Sequence, residues 1–200
     1  MEIDDPSLYE RSLWVNGVDV VPLVEVELVR RFPGRELRTA TTPQDLRTAW
    51  AAVERAWADV LDTASGLEDV SVDGEWSFSQ TLRHLVMATN VWLHGAILGQ
   101  EQPFHWIGQP FAEYTPEGGD MTIFREPGSY DEVLAVRAEH QTMVRDYLAT
   151  VTEEALAETR PDPWAPERRV TVLHCLHVIL NEEWEHQRYA VRDLRKAACT

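Results

Sequence analysis

Residues 173–194 read LHCLHVILNEEWEHQRYAVRDL, and the folding of this stretch decides how the rest of the chain is read. At the helical period, Cys175, Val178, Ile179, Glu182, His186 and Ala190 fall on one stripe of a single long C-terminal helix. The first half of the stripe is apolar, so it faces a core. Glu182 and His186 are four apart and so lie about 40° apart on that face, one turn above the other. A carboxylate and an imidazole on a core-facing stripe are costly unless paired or bound to a metal. An E-x3-H pair offers a divalent metal two ligands from one helix. The third would be His84, within WSFSQTLRHL at residues 76–85. The same spacing also describes an ordinary i,i+4 contact on a solvated helix face. Spacing alone leaves both readings open.

Two hundred residues are enough for one domain with a sizeable core. The formal net charge of -16 argues against a nucleic-acid partner or an anionic membrane surface, since both need a basic patch. Lys196 is the only lysine, and Arg and Ala are common, which points to a GC-rich genome. The two cysteines, Cys175 inside the long helix and Cys199 near the C-terminus, are not placed for a structural disulfide. No C-x2-C pair exists, so a zinc ribbon or finger is excluded. The first twelve residues lack the apolar region of a signal peptide, and no apolar run is long enough to span a bilayer. A cytoplasmic protein is expected.

Along the chain, residues 1–17 read as polar and loosely held. Residues 18–32 read as a helix with Pro22 in its first turn and Pro33-Gly34 as its stop, although the many valines also permit a strand. Thr42 and Pro43 start the next helix, which carries Leu46, Trp50, Val53, Trp57, Val60 and Leu61 at three–four spacing, with Gly66 as its stop. Ser77 and Gln80 form a capping box for a helix over 78–98. Its main apolar stripe is Phe78, Leu82, Leu85, Val86, Thr89 and Leu93. His84 lies nearly opposite, so either the helix is apolar on two sides or His84 sits at a secondary groove.

Residues 99–128, with Phe104, His105, Trp106, Phe111, Tyr114 and Phe124, read as a long loop that either covers a pocket or packs on the surface. Ser129 and Glu132 cap a helix over 130–149, in which His140 reads as a core-edge or surface histidine. A short acidic helical turn follows at 152–158. Residues 160–169 read as a proline-rich loop anchored by Trp164. Four substantial helices (43–65, 78–98, 130–149, 171–196) make the expected fold all-α, a four-helix bundle over 43–200 with an N-terminal extension over 1–42.

At these residues the chain resembles the DinB superfamily of helical bundles, in particular the group with the mycothiol-dependent maleylpyruvate isomerases and related thiol transferases. Trp76-Ser77 and Leu82-Arg83-His84-Leu85 match the family's stretch at the start of the second bundle helix. Glu182 and His186 match the ligand pair on its last helix. Many members carry H-x3-H there, and the isomerase branch is similar in carrying Glu at the first position. The resemblance covers about residues 43–196. It implies that His84, Glu182 and His186 hold a divalent metal, zinc or nickel, with open positions for water or substrate.

The function expected from that resemblance is a metal-dependent thiol (mycothiol-type) transferase or isomerase acting on a small-molecule substrate. A low-molecular-weight thiol would be the cosubstrate, mycothiol if the source is actinobacterial. Two alternatives stand beside it: a non-catalytic metal-binding or stress-associated interaction domain, and a plain Glu182–His186 ion pair at a decayed site. A homodimer is expected, because such bundles commonly pair through helix faces.

Overall fold

The computed structural model describes residues 12–110, 121–124 and 127–199. Phe111 and Tyr114 of the long loop lie outside the described residues. A small hairpin, β1 (Trp14–Val15) and β2 (Val18–Asp19), precedes α1 (Val21–Arg31). The hairpin falls where the sequence reads as loose chain. Asn16 and Gly17 supply the two positive φ angles, 50° and 79°, that a two-residue hairpin loop needs. Gly34 (φ 99°) then turns the chain into a 3-10 helix at Arg35–Thr39. A Cβ on Gly34 would meet the Ala52 Cβ at 2.8 Å, so only glycine lets this turn press against the bundle. Arg35 is buried there and bonds Glu185 of the C-terminal helix at 2.6 Å.

The bundle helices are α2 (Pro43–Leu61), α3 (Phe78–Thr89), α4 (Tyr130–Thr150) and α6 (Val172–Ala197); the short α5 (Glu153–Ala157) precedes a hairpin. The caps read from the sequence all form. The Thr42 hydroxyl accepts from Asp45 N–H, and Ser77/Gln80 and Ser129/Glu132 close reciprocal capping boxes. α2 stops four residues before the expected 65, because the Thr63 and Ala64 N–H groups bond three residues back and tighten the chain into turns. α2 packs against α4 and α6, and α3 packs against the same two helices. α2 and α3 therefore stand diagonally, as do α4 and α6. This mainly helical bundle is the architecture expected from the four amphipathic segments.

α3 is buried almost all round: of Phe78–Thr89 only Gln80 is not fully enclosed. Of the two positions open to His84, the first holds, since α3 is apolar on two sides and both are covered. Part of the cover comes from the following loop, where Arg83 Nε–H donates to Ile107 O at 2.8 Å and Gln109 N–H to Arg83 O at 3.2 Å. α3 continues as a π-helix over Asn90–Ile97.

Residues 160–169 correct the sequence reading. They are not an irregular loop but most of a hairpin, β3 (Thr159–Asp162) with β4 (Ala165–Thr171). Pro161 and Pro166 forbid a helix, yet a two-stranded ribbon consists only of edges and tolerates their missing N–H groups. Trp164 does not anchor the segment. It sits at the hairpin turn, 48% exposed, and the buried anchor is Asp162, which accepts from Trp164 N–H at 2.8 Å and pairs with Arg168.

Two buried polar clusters cross the core. In the first, Asn90 Oδ1 accepts from His105 N–H (2.9 Å), which turns the amide nitrogen toward His140 Nε2 (2.8 Å) and His94 Nδ1 (3.1 Å). An amide nitrogen only donates, so both imidazoles present lone pairs to it. His140 Nδ1–H donates to Val136 O at 2.8 Å, so that ring is neutral and its tautomer fixed. His140 is thus a core residue, 4% exposed, and not the edge or surface residue of the sequence reading.

Burial holds the His140 imidazolium down to about 4, and burial also lowers His94 and His105. A histidine whose pKa is lower folded than unfolded favours the folded state fully above about 6.5 and loses that contribution as pH falls toward the folded value. The metal-free protein is therefore expected to be about 2 kcal/mol less stable at pH 5 than at pH 7.5 from His140 alone. Ordinary carboxylates contribute little above pH 5, but Glu183 is raised by burial and acts in the opposite sense, so the part of the urea-unfolding difference between these two pH values that His140→Gln removes is read as the histidine's share. A difference unchanged in His140→Gln would contradict the neutral assignment.

In the second cluster Arg137 of α4 and Glu183 of α6, 4% and 1% exposed, form an ion pair across the bundle diagonal. The Trp57 ring centroid lies 5.9 Å from the guanidinium carbon.

Candidate metal centre

The capping box at Ser77 starts α3 directly after Trp76 and sets His84 two turns in. The Thr171 hydroxyl caps α6 by accepting from His174 N–H at 3.1 Å, and α6 then carries Glu182 and His186 past the early part of α3. The three side chains converge: one ligand atom from each of His84, Glu182 and His186 lies within 4.8 Å of the others. The His84 and His186 ring centroids are 4.6 Å apart.

Hydrogen bonding fixes the tautomers. His186 Nδ1–H donates to the carbonyl of Glu182 at 2.9 Å, one turn back, which leaves Nε2 with its lone pair free. His84 Nδ1 faces Gln109 O at 3.2 Å, so this nitrogen carries a hydrogen. His84 Nε2 faces Glu182 Oε2, also at 3.2 Å. Both nitrogens of His84 thus look at oxygen acceptors. A neutral ring satisfies only one of them. The arrangement calls for a positive charge at Nε2, either a proton or a metal ion between imidazole and carboxylate.

The electrostatics agree with a cation at this place. Burial works to raise the Glu182 carboxyl, but the hydrogen bond from His84 and the nearby His186 and His84 outweigh it, and the net direction is down. The carboxylate is therefore held ionised. Burial lowers His186, with Glu182 opposing and His84 adding to the fall. A neutral imidazole beside a carboxylate is the state in which both ligate.

Trp76 packs on both histidines, with ring centroids 4.8 Å from His84 and 6.2 Å from His186. Tyr189 meets His186 edge-on at 5.8 Å. Two cavities reach the cluster from different sides. One of about 440 Å³ has His186 in its wall with Trp76, Thr81, Tyr189 and Asp193. The other, of about 350 Å³, has His84 and Glu182 in its wall.

The neighbouring candidates are turned elsewhere. His177 Nε2–H donates to Ala40 O at 2.7 Å, and the His174 ring packs edge-on against Trp92. Glu185 is taken up by Arg35 and Arg188. The sequence reading missed the Gln109 carbonyl and Tyr189, and gave Trp76 no part beyond its place in the motif. The carbonyl has no residue signature, but an aromatic three positions from a ligand histidine on one helix was a signal that could have been followed.

A helical bundle with a two-histidine, one-carboxylate cluster between its second and last helices defines the class. The sequence model of the DinB superfamily matches residues 45–190, and the chain belongs to that superfamily. Its members often bind metal. No curated protein and no solved structure matches the chain significantly. Among the described residues no helix is long and apolar enough to cross a membrane.

Proposed function

We propose that His84, Glu182 and His186 hold one divalent metal and that the protein is a metal-dependent thiol (mycothiol-type) transferase or isomerase. The observation that carries the reading is the pairing of a three-ligand cluster with two cavities that reach it. Structural zinc sites close with four protein ligands, whereas catalytic ones keep three and leave a position open. Among the described residues the cluster has three members. Two imidazoles and a carboxylate suit zinc, with nickel as the alternative.

A bound metal would supply a Lewis-acid site at which a thiol loses its proton near neutral pH. The chain's own residues do the rest. The Glu182 and Gln109 carbonyls orient the two rings, and Glu182 offsets the positive charge. Trp76 shields one side of the imidazoles from water, and the cavities receive the two reactants from different sides.

The test is metal analysis of the purified protein, followed by Co(II) substitution and titration with mycothiol. About one divalent ion per chain is expected, with a sulfur-to-cobalt charge-transfer band on adding the thiol. A metal that binds without ever accepting a thiol would leave the non-catalytic interaction domain as the better reading.

A further inference from the structure

The cavity that reaches His84 and Glu182 is walled otherwise by Met87, Ala88, Val91, Trp92, Trp164 and Val178. Every one of these is uncharged. Among the described residues, the polar side-chain atoms of its walls are those of the two ligands and the Trp indoles. The 440 Å³ cavity on the His186 side differs, since Asp73, Glu75 and Asp193 line it. The two approaches to the cluster are thus chemically unlike.

We infer that the slot between α3, α6 and the β3–β4 turn binds an uncharged aryl or branched-alkyl group of the second reactant, the one brought to the metal-held thiol, with Trp164 setting this preference. The inference rests on the metal reading of the cluster. Size agrees: 350 Å³ is at the small end of ligand sites and holds an aromatic ring with its linking carbons. Chemistry agrees as well. A carboxylate entering the slot would shed its water and find no arginine or lysine among the described residues of the wall, at a cost that an apolar group does not meet. An apolar group would gain from leaving water beside two indoles, and a ring would gain further by stacking.

Trp164 is the residue placed to choose. The other walls belong to the buried face of α3 and to α6, where they also serve the bundle core. Trp164 lies on the hairpin turn, half exposed, its backbone N–H held by Asp162 at 2.8 Å. Its ring lines the slot and stands outside the hydrophobic core, so its size can change while the bundle core stays intact.

The experiment uses benzyl mercaptan and 2-mercaptoethanol as probes, which share a thiol head as a common anchor on the metal and differ only in the tail offered to the slot. Binding to the Co(II)-loaded protein is read from the charge-transfer band, after cobalt uptake has been measured separately. Benzyl mercaptan should bind at least about tenfold more tightly, the effect of removing one ring face from water. Trp164→Ala should bring the ratio to within about threefold with cobalt uptake unchanged, and Trp164→Phe should keep most of the preference. Equal affinities, or a preference untouched in Trp164→Ala, would overturn the inference and leave the metal reading standing. If cobalt is not taken up, the metal reading fails. Calorimetry of the metal-free protein with the same thiols then decides the slot: a benzyl preference lost in Trp164→Ala upholds it, and no preference ends it.

Discussion

Replacing His186 by alanine is expected to weaken divalent-metal affinity by more than about 100-fold while the helical circular dichroism signal persists. Loss of a mere orienting partner of a ligand costs roughly 10–100-fold, and loss of a ligand from a three-ligand site exceeds that. His84→Ala should behave alike. Neither ring is a main support of the bundle, because the core of α3 is Phe78, Leu82, Leu85, Val86 and Leu93, and that of α6 is Cys175, Leu176, Ile179, Leu180 and Trp184. The two variants differ in what they leave behind. Without His84, the Glu182 carboxylate loses its 3.2 Å hydrogen bond and keeps only His186. Without His186, it keeps the bond from His84. His177→Ala is the control: its ring bonds Ala40 O on the far side of α6 and should leave metal content unchanged. Should metal content survive His84→Ala and His186→Ala but fall with His177→Ala, the ligand assignment is wrong.

How far the site could be read from the sequence follows the range of the interactions involved. The Glu182–His186 pair is local, fixed by helix geometry once α6 is recognised, and the spacing is enough to find it. The capping boxes at Ser77 and Ser129 are local too, and both form. His84 needs tertiary structure to arrive, and helix periodicity alone turned it away from the main stripe. It came to the site because α3 is enclosed on both sides, a property set by its neighbours and not by its own pattern. The Gln109 carbonyl was beyond reach for a different reason: a backbone group has no residue type to mark it. The β3–β4 hairpin was hidden by its prolines, which exclude a helix but say nothing against a two-stranded ribbon. Trp164 was misplaced with it, since a lone tryptophan in a proline-rich stretch reads as an anchor, while here it projects from the turn.

The diagonal ion pair left no trace in the sequence either, because an arginine in a charged helix reads as solvated. Yet Arg137→Met is expected to cost about 3–5 kcal/mol of folding stability, the most of any single change considered for this chain. The reason is what remains. Glu183 is 1% exposed, and burial already pushes its carboxyl up against the pull of Arg137 and the Trp57 indole. Take the guanidinium away and the carboxylate must either stay charged in the core or bind a proton; both are unfavourable at neutral pH. Glu183→Leu strands the arginine in the same way. The double variant Arg137→Met/Glu183→Leu removes both charges and should recover most of the loss, because apolar groups of similar volume replace a buried pair at little net cost. Urea unfolding of the four proteins closes the cycle, with a coupling of at least about 2 kcal/mol expected. Single variants within about 1 kcal/mol of the parent would show the pair to be solvated. The same cycle bears on the site. Glu183 adjoins Glu182, so the bond to Arg137 is placed to hold the rotation of α6 about its axis and with it the direction of the Glu182 and His186 side chains. In the double variant packing alone sets that rotation. If the ion pair is there to aim the ligands, the double variant regains its stability but not its metal affinity. If metal affinity returns along with stability, the rotation of α6 is set by Trp184 and its neighbours and the charges serve the fold alone.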